Sequence, residues 1–437
     1  MDSQETFVDP IAQRSTLRAW LVRIALVLTS AVFGYLVSQP SDAWLSVPSD
    51  DFIQYWAAGR LNALGANPYS PDEAFSLEKE VGLSDEWQRA SGRRLDQGII
   101  MWNPPLTLSI AMPFGLLEFP LSRRIWLLFH LLLILCCADW LWCFYGGSNR
   151  WRWLAWVLAI SFYPTIVIVA SGQITALVLL SMIGFLHFER RGNGWAAGAF
   201  AAMAAIKPHL VYLLWPALIL WAIHGRRWSV LLGCAATGLV ATLIPLACNP
   251  AVIQEYWYAL CNLRTPADLL SPTLGTLLRL GFGQDKVWLH LVSPVLGMLW
   301  LLSYWLKNRQ NWVWAECLPL LLLVSFLTSA YCAWTCDRVV LLVPVVQAAV
   351  WIVQSRRWPA KASAFALYLT IDLLAPAMYY LESSSDLGWE RLDVAFMELS
   401  LGWMTPALLL GYLLLRWQKN HGADQSWKRP VIAEPVR

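Results

Sequence analysis

Residues Ile125–Tyr145 read IWLLFHLLLILCCADWLWCFY, an apolar stretch interrupted only by His130 and Asp139, and follow directly on Arg123 and Arg124. A helix crossing the hydrocarbon core of a bilayer needs about 20 such residues. Eleven more runs suit the same purpose: Ala19–Val37, Trp153–Ala170, Ile174–Phe188, Trp195–Ile206, His209–Ile223, Ser229–Ala247, Val287–Trp305, Trp312–Ser329, Val339–Val353, Ala362–Tyr380 and Val394–Leu415. The 437-residue chain is 58% apolar and 14% charged, against about 45–50% and about 25% in soluble domains. Residues 1–437 therefore read as one all-α polytopic membrane unit of about twelve transmembrane helices, not as a string of soluble domains. The run Trp195–Ile206 is short, so it needs tilt, shielding by neighbours or extension through Lys207-Pro208.

Charge orients the bundle. Arg14 and Arg18 precede the first run, which is too long for a signal-peptide core and lacks a small-residue cleavage site before Gln39. It reads as an uncleaved signal anchor with residues 1–17 in the cytoplasm. If all twelve runs cross, Arg150/Arg152, Arg190/Arg191, Arg226/Arg227, Lys307/Arg309, Arg356/Arg357/Lys361 and the 417–437 tail share that side. The opposite set opens with residues 40–104, which hold ten Asp/Glu against five Lys/Arg, and closes with the acidic Glu382–Asp393 segment. This set faces outward. Pro105–Pro120 is half apolar, and counting it as a span would invert every later loop, so it is expected to be a juxtamembrane or broken helix on the outer side. Trp151, Trp195, Trp228, Trp312, Trp358 and Trp417 stand at run ends, as an interfacial belt does.

Several function classes drop out. The net charge of +3 comes without a basic run or interleaved aromatic motif, so no nucleic-acid partner is expected. Nine cysteines form no CxxC pair or Cys/His cluster of metal-ligand spacing. There is no P-loop, HExxH or Ser/His/Asp arrangement. No compact carboxylate cluster demands a divalent cation, and metal dependence stays open.

The proposed topology gathers polar groups on one face. Gln173, Lys207, His209, the Asn249–Lys286 loop and Tyr331–Arg338 all fall at outer ends of spans, beside the acidic 40–104 loop. Groups of this kind cost about 2.5–3.5 kcal/mol each at membrane depth on insertion scales, so their gathering suggests a site. Taken singly, each has a plainer reading as a helix-end residue in the headgroup region. Asp50-Asp51, leading into a short aromatic helix, offers a carboxylate for base chemistry, or an N-cap.

The motif order is more specific than any of its pieces. Asp51-Phe52, Tyr55-Trp56-Ala57-Ala58-Gly59-Arg60, Asn67-Pro68-Tyr69 and Trp102-Asn103-Pro104-Pro105-Leu106 come first. Gly172-Gln173, Ala205-Ile206-Lys207-Pro208-His209-Leu210, and Thr328–Asp337 with Leu341-Leu342-Val343-Pro344 follow. This succession resembles glycosyltransferase family 87, within the GT-C superfamily, over roughly residues 18–350. Trp102, Ala330 and Cys336 depart from the family pattern at positions that bear on substrate identity.

The resemblance implies a plasma-membrane (inner-membrane) enzyme with its active site on the outer, periplasmic face. It implies a GT-C-like bundle with juxtamembrane helices in the first outer loop. It further implies transfer of a hexose, mannose above all, from a polyprenyl-phosphate donor to a lipid or glycan acceptor, with inversion. On the matching positions Asp51 would be the general base, with Asp50 as the fallback. Lys207, then Arg338 and His209, would meet the donor phosphate, and Gln173, Asp337, Tyr55 and Tyr331 the sugar or acceptor. Plainer roles stay open: Lys207 as a lipid-snorkelling anchor, His209 as an interfacial aromatic, and Asp337 as a partner orienting Arg338. If Lys207 stabilises the departing phosphate, its replacement by Met, which keeps most of the apolar stem and deletes the charge, should still leave a protein that inserts and folds. The rival class is a transporter or lipid-linked-sugar flippase, which should carry mid-membrane charges and internal repeats. Only Asp139, Glu316, Asp372 and Glu398 are acids inside the apolar runs.

Overall fold

The computed structural model describes residues 51–81, 98–263, 273–283, 285–331, 333–355 and 402–421, with positions 366, 368, 370 and 374. The Ala19–Val37 anchor, Asp50, most of Ala362–Tyr380 and the Glu382–Asp393 segment lie outside them. The described residues belong to one compact unit, Pro48–Arg437, and are helical with no strand among them.

The first outer loop contributes α1 (Phe52–Ala63) and α2 (Pro71–Glu80), and a 3-10 turn at Pro105–Thr107 runs into α3 (Leu108–Gly115). Then come α4 (Phe119–Phe144), α5 (Trp153–Ser161), α6 (Tyr163–Ser171), α7 (Ala176–Arg190) and α8 (Gly194–Met203), the last prolonged by a 3-10 turn at Ala204–Ile206. The chain continues through α9 (Leu214–His224), α10 (Trp228–Cys248), α11 (Val252–Asn262), α12 (Leu274–Phe282), α13 (Val292–Asn308) and α14 (Trp314–Thr328). A 3-10 segment at Cys336–Leu341 leads into α15 (Leu342–Gln354), and α16 (Met404–His421) closes the described chain.

Among the described residues four helices have the length and apolarity to cross a membrane: Phe119–Phe144, Trp228–Cys248, Val287–Asn311 and Cys336–Gln354. The pair α5/α6 would make a fifth, but it is bent by 54°. Phe162 is extended there and Pro164 opens the second half, so the ring removes the donor that a continuous helix needs. Elsewhere the apolar runs make shorter helices than twelve full spans require. Leu214–His224 loses the start of its expected run to the turn that follows Pro208, and the 15-residue α14 reaches about 22 Å at 1.5 Å per residue. The Pro105–Pro120 stretch likewise yields only the short α3.

Burial separates a central helix from a lipid-facing wall. Ten of the fifteen α7 residues are buried, which marks a helix enclosed on all sides. By contrast α10 exposes Leu232, Leu239, Val240, Leu243 and Ile244, and α13 exposes Val295, Leu296, Leu299 and Leu302. Apolar faces this extensive suit hydrocarbon contact.

Glycines bring together the helices that carry the candidate residues. A Cβ on Gly59 of α1 would stand 2.4 Å from the Ala111 carbonyl oxygen of α3, and one on Gly115 would stand 2.2 Å from the Arg60 nitrogen. At the α8/α10 crossing, a Cβ on Gly198 would meet the Val230 oxygen at 2.0 Å and one on Gly233 the Trp195 oxygen at 2.4 Å. These contacts shield the short α8 as the small residues of packed membrane helices do.

In an open helix Gly→Ala stabilises by about 1 kcal/mol. Gly59→Ala should do the reverse, losing about 1–3 kcal/mol because backbone must shift. Tryptophan-fluorescence thermal unfolding of the detergent-purified protein reads the sign, and a raised midpoint would contradict the close α1/α3 crossing.

Candidate active site

Three helix ends and one helix face meet at a single point. The C-terminus of α6 closes on Gly172 in the left-handed conformation (φ 72°), where glycine carries no Cβ penalty. The next residue, Gln173, thereby turns inward and is buried. At the end of α8 the 3-10 turn stops at Lys207 (φ −135°, ψ 72°), because the following Pro208 disfavours helical geometry at the residue before it. Asp337 lies in the 3-10 segment after α14. Tyr55 lies in α1, one turn after Asp51.

Their side chains form one buried network. The Lys207 ammonium donates to Asp337 Oδ1 at 2.7 Å and to Gln173 Oε1 at 2.8 Å. The Tyr55 hydroxyl donates to the same Gln173 oxygen at 2.6 Å. Thr175 Oγ1 donates to Asp337 Oδ1 at 2.6 Å, and the Trp334 amide to Oδ2 at 3.3 Å. Asp337 is 0% and Lys207 7% exposed, so the ion pair is taken out of water. Two donors converging on one end of Gln173 fix that end as its oxygen.

Electrostatics follows from this burial. Burial pushes the Tyr55 phenol above its ordinary range, opposed by the Lys207 ammonium, so the tyrosine stays a neutral donor. For Lys207, in the connection between α8 and α9, burial disfavours the charge. The Asp337 carboxylate leads the groups that oppose this, and the net shift is upward. The pairing thus favours the ammonium form. An ammonium has three N–H donors, and the two bonds above leave one for a further oxygen. The Gln173 amide nitrogen supplies two donors that the network does not use.

Asp51 joins the network through its backbone. Its N–H donates to the Ser171 carbonyl at 2.6 Å, so the start of α1 is pinned to the α6 end that presents Gln173. Asp51 occupies the N-cap position of α1, but no capping hydrogen bond comes from its carboxylate. His209 and Tyr331, both half-buried, stack with ring centroids 4.9 Å apart, and Ser329 Oγ donates to the Tyr331 carbonyl at 2.9 Å. Arg338 is fully buried and donates to Thr335 Oγ1 at 3.2 Å and to Met404 Sδ at 3.7 Å, tying this turn to α16. Among the described residues no group of three His, Cys, Asp or Glu is placed to hold a metal ion.

Sequence reasoning missed Thr175 and Trp126. Trp126 of α4 donates its indole N–H to the Gly172 carbonyl at 2.7 Å and stacks on Tyr55 at 5.5 Å. No motif signals either residue.

The family model described as Glycosyltransferase family 87 matches residues 102–378. The chain belongs to that family. No curated protein and no solved structure matches it. The family 87 match includes Gln173, Lys207, His209, Tyr331, Asp337 and Arg338. Asp51 and Tyr55 precede it, yet the Tyr55–Gln173 bond ties their helix to the matched region. The protein is thus a membrane glycosyltransferase, acting on a sugar donor and an acceptor.

The ion pair changes what Lys207→Met should do. A methionine would leave the Asp337 carboxylate buried and uncompensated, which costs about 3–5 kcal/mol. The expectation that this variant keeps its full stability is therefore withdrawn. Lys207→Met should lower the thermal midpoint, and adding Asp337→Asn should restore most of it while transfer stays lost. Equal midpoints for the single and double variants would mean that the pair carries no stability.

Proposed function

We propose that this family 87 enzyme transfers a hexose, mannose in the first instance, from a polyprenyl-phosphate donor to a hydroxyl of a lipid or glycan. The reaction takes place on the outer face of the plasma membrane and inverts the anomeric carbon. The proposed topology keeps about twelve crossings, several of them made by short or broken helices rather than full-length spans, with both termini in the cytoplasm and the 40–104 loop outside. The observation that carries the reading is a charged lysine held in a dry network, with the Asp51 turn bonded to the same helix end.

In this reaction the acceptor oxygen attacks the anomeric carbon and its proton passes to the Asp51 carboxylate. The bond from that carbon to the phosphate oxygen breaks, and its electron pair leaves with the polyprenyl monophosphate. Negative charge on the phosphate grows as the bond breaks. The unused Lys207 N–H is the fixed donor for that growth, and such donors are worth most where water is excluded. His209, stacked on Tyr331, lines the phosphate side, and Arg338 supports it from the buried turn behind. Gln173 meets a sugar hydroxyl through its amide nitrogen. Tyr55 and Asp337 hold Gln173 and Lys207 in place, beside the sugar. Family membership favours transfer chemistry over the transporter or flippase reading.

The test is incubation of purified protein with radiolabelled polyprenyl-phosphate sugars and a membrane extract, followed by identification of the labelled product. Asp51→Asn, of the same shape, should lose at least about 10²–10⁴-fold in rate at unchanged expression. An active Asp51→Asn enzyme would remove the base from this residue.

Sidedness has its own test at Ser76, an exposed residue of α2. A cysteine placed there should react with a membrane-impermeant thiol reagent in intact cells. Reaction only after permeabilisation would reverse the orientation.

A further inference from the structure

The Lys207 turn leaves a backbone group without its ordinary helical partner. In a continuing helix the Ile206 carbonyl would accept from residue 210, but the Leu210 amide bonds the Lys207 carbonyl instead, at 3.2 Å. Pro208 has no N–H to offer. The Ile206 carbonyl is instead taken by a side chain from far away in sequence, since Asn103 Nδ2 donates to it at 2.8 Å. Asn103 is 8% exposed, and its own carbonyl accepts from the Tyr69 hydroxyl at 3.1 Å. Tyr69 is anchored in turn by its amide, which donates to Asn67 Oδ1 at 2.9 Å, and by its ring, 5.0 Å from that of Tyr256. A buried chain of contacts thus runs from the outer loop to the peptide bond that introduces Lys207.

The same device occurs at the other helix end. There the Trp126 indole holds the Gly172 carbonyl, which immediately precedes Gln173. Two of the polar side chains in the network, Lys207 and Gln173, therefore each follow a carbonyl gripped by a side-chain N–H. A peptide plane held in this way fixes the direction in which the next residue leaves the backbone.

We propose that Asn103 is a positioning residue, which sets the Lys207 ammonium by holding the Ile206 carbonyl. The proposal rests on the reading of Lys207 as the cation that meets the departing phosphate. With the carbonyl released, the Ile206–Lys207 peptide can rotate and the ammonium drifts from its place between Gln173 and Asp337. A displacement of about 1 Å in a catalytic group can cost about 100-fold in rate.

Two variants test this. Asn103→Asp keeps the shape and replaces the donor by an oxygen that repels the Ile206 carbonyl. Asn103→Leu removes the donor without burying a charge, and covers the case in which the Asp variant fails to fold. The first readout is independent of activity. Whole purified protein is treated with an amine-reactive reagent and its peptides are quantified by mass spectrometry. Lys207 should be protected in the wild type and labelled several-fold more in the variants, while the exposed Lys79 and Lys307 label as before. The second readout is transfer from polyprenyl-phosphate mannose, where kcat should fall about 10–100-fold with the donor KM nearly unchanged.

Unchanged Lys207 labelling in Asn103→Leu overturns the proposal whatever the activity. Unchanged kcat together with raised labelling also overturns it, because the released lysine would then not matter to the reaction. If the wild type transfers from no polyprenyl-phosphate sugar, the functional reading fails. Raised labelling in the variants would even then show that Asn103 positions Lys207.

Discussion

The buried pair between Lys207 and Asp337 imposes the strictest demand on this structure. Stripping water from two such ions costs several kcal/mol each, which their attraction repays only when every remaining donor and acceptor is well placed. Here the carboxylate is met by the ammonium, the Thr175 hydroxyl and the Trp334 amide. The ammonium is shared with Gln173, whose oxygen is met again by Tyr55. Four separate segments must arrive together for the pair to be tolerable: α1, the α6–α7 turn, the end of α8 and the turn after α14. A shift of any one of them leaves a buried polar atom short of a partner, and this makes the arrangement cooperative.

The surrounding architecture is what lets these segments arrive. Buried irregular backbone is tolerated only where its polar groups find partners, and Gly172-Gln173 and Lys207-Pro208 are both irregular. The enclosed α7 begins just after the first of these turns, and glycine contacts draw α10 against the helix that ends in the second. The aromatic ring of Trp126 fills the space behind Tyr55, while its N–H satisfies the Gly172 carbonyl. Apolar side chains that face outward on α10 and α13 add nothing to the site. They supply the lipid-facing wall against which it is kept dry.

Sequence made some of this legible, and physical reasons separate what was readable from what was not. Lys207 stood out because a charge at the end of an apolar run is expensive, although the sequence also allowed extension of the helix through Lys207-Pro208, and the structure ends it at Lys207 instead. Gln173 was visible as a polar group at the outer end of a span, whereas the left-handed cap at Gly172 that turns it inward is known from the structure. The partnership was not visible. Adjacency paired Asp337 with Arg338, but the structure gives the Asp337 carboxylate the ammonium of Lys207, far away in the chain. Asn103 and Trp126 act through backbone carbonyls, whose position depends on the tertiary fold and leaves no mark in composition. Span lengths failed differently, since apolarity persists across Phe162–Pro164 and around Pro208 while the helices do not. The mid-run acid Asp139 reads as a cost, yet it is paired with Arg152 beyond the end of α4.

The pairing also bears on how a lysine could serve the proposed reaction. A lone ammonium buried to this degree would tend to shed its proton, because burial penalises the charged form. Asp337 leads the groups that oppose that tendency and favours the charged form of Lys207. The carboxylate also tempers the attraction between the site and the donor in its ground state, when the phosphodiester carries a single negative charge. In the proposed reaction charge would accumulate on the phosphate as the sugar departs, and its attraction to the ammonium would rise with it. Rate is gained only from interactions that strengthen toward the transition state. What the carboxylate contributes is the charge state itself, because a lysine neutralised by burial would have no positive charge with which to meet the growing negative one.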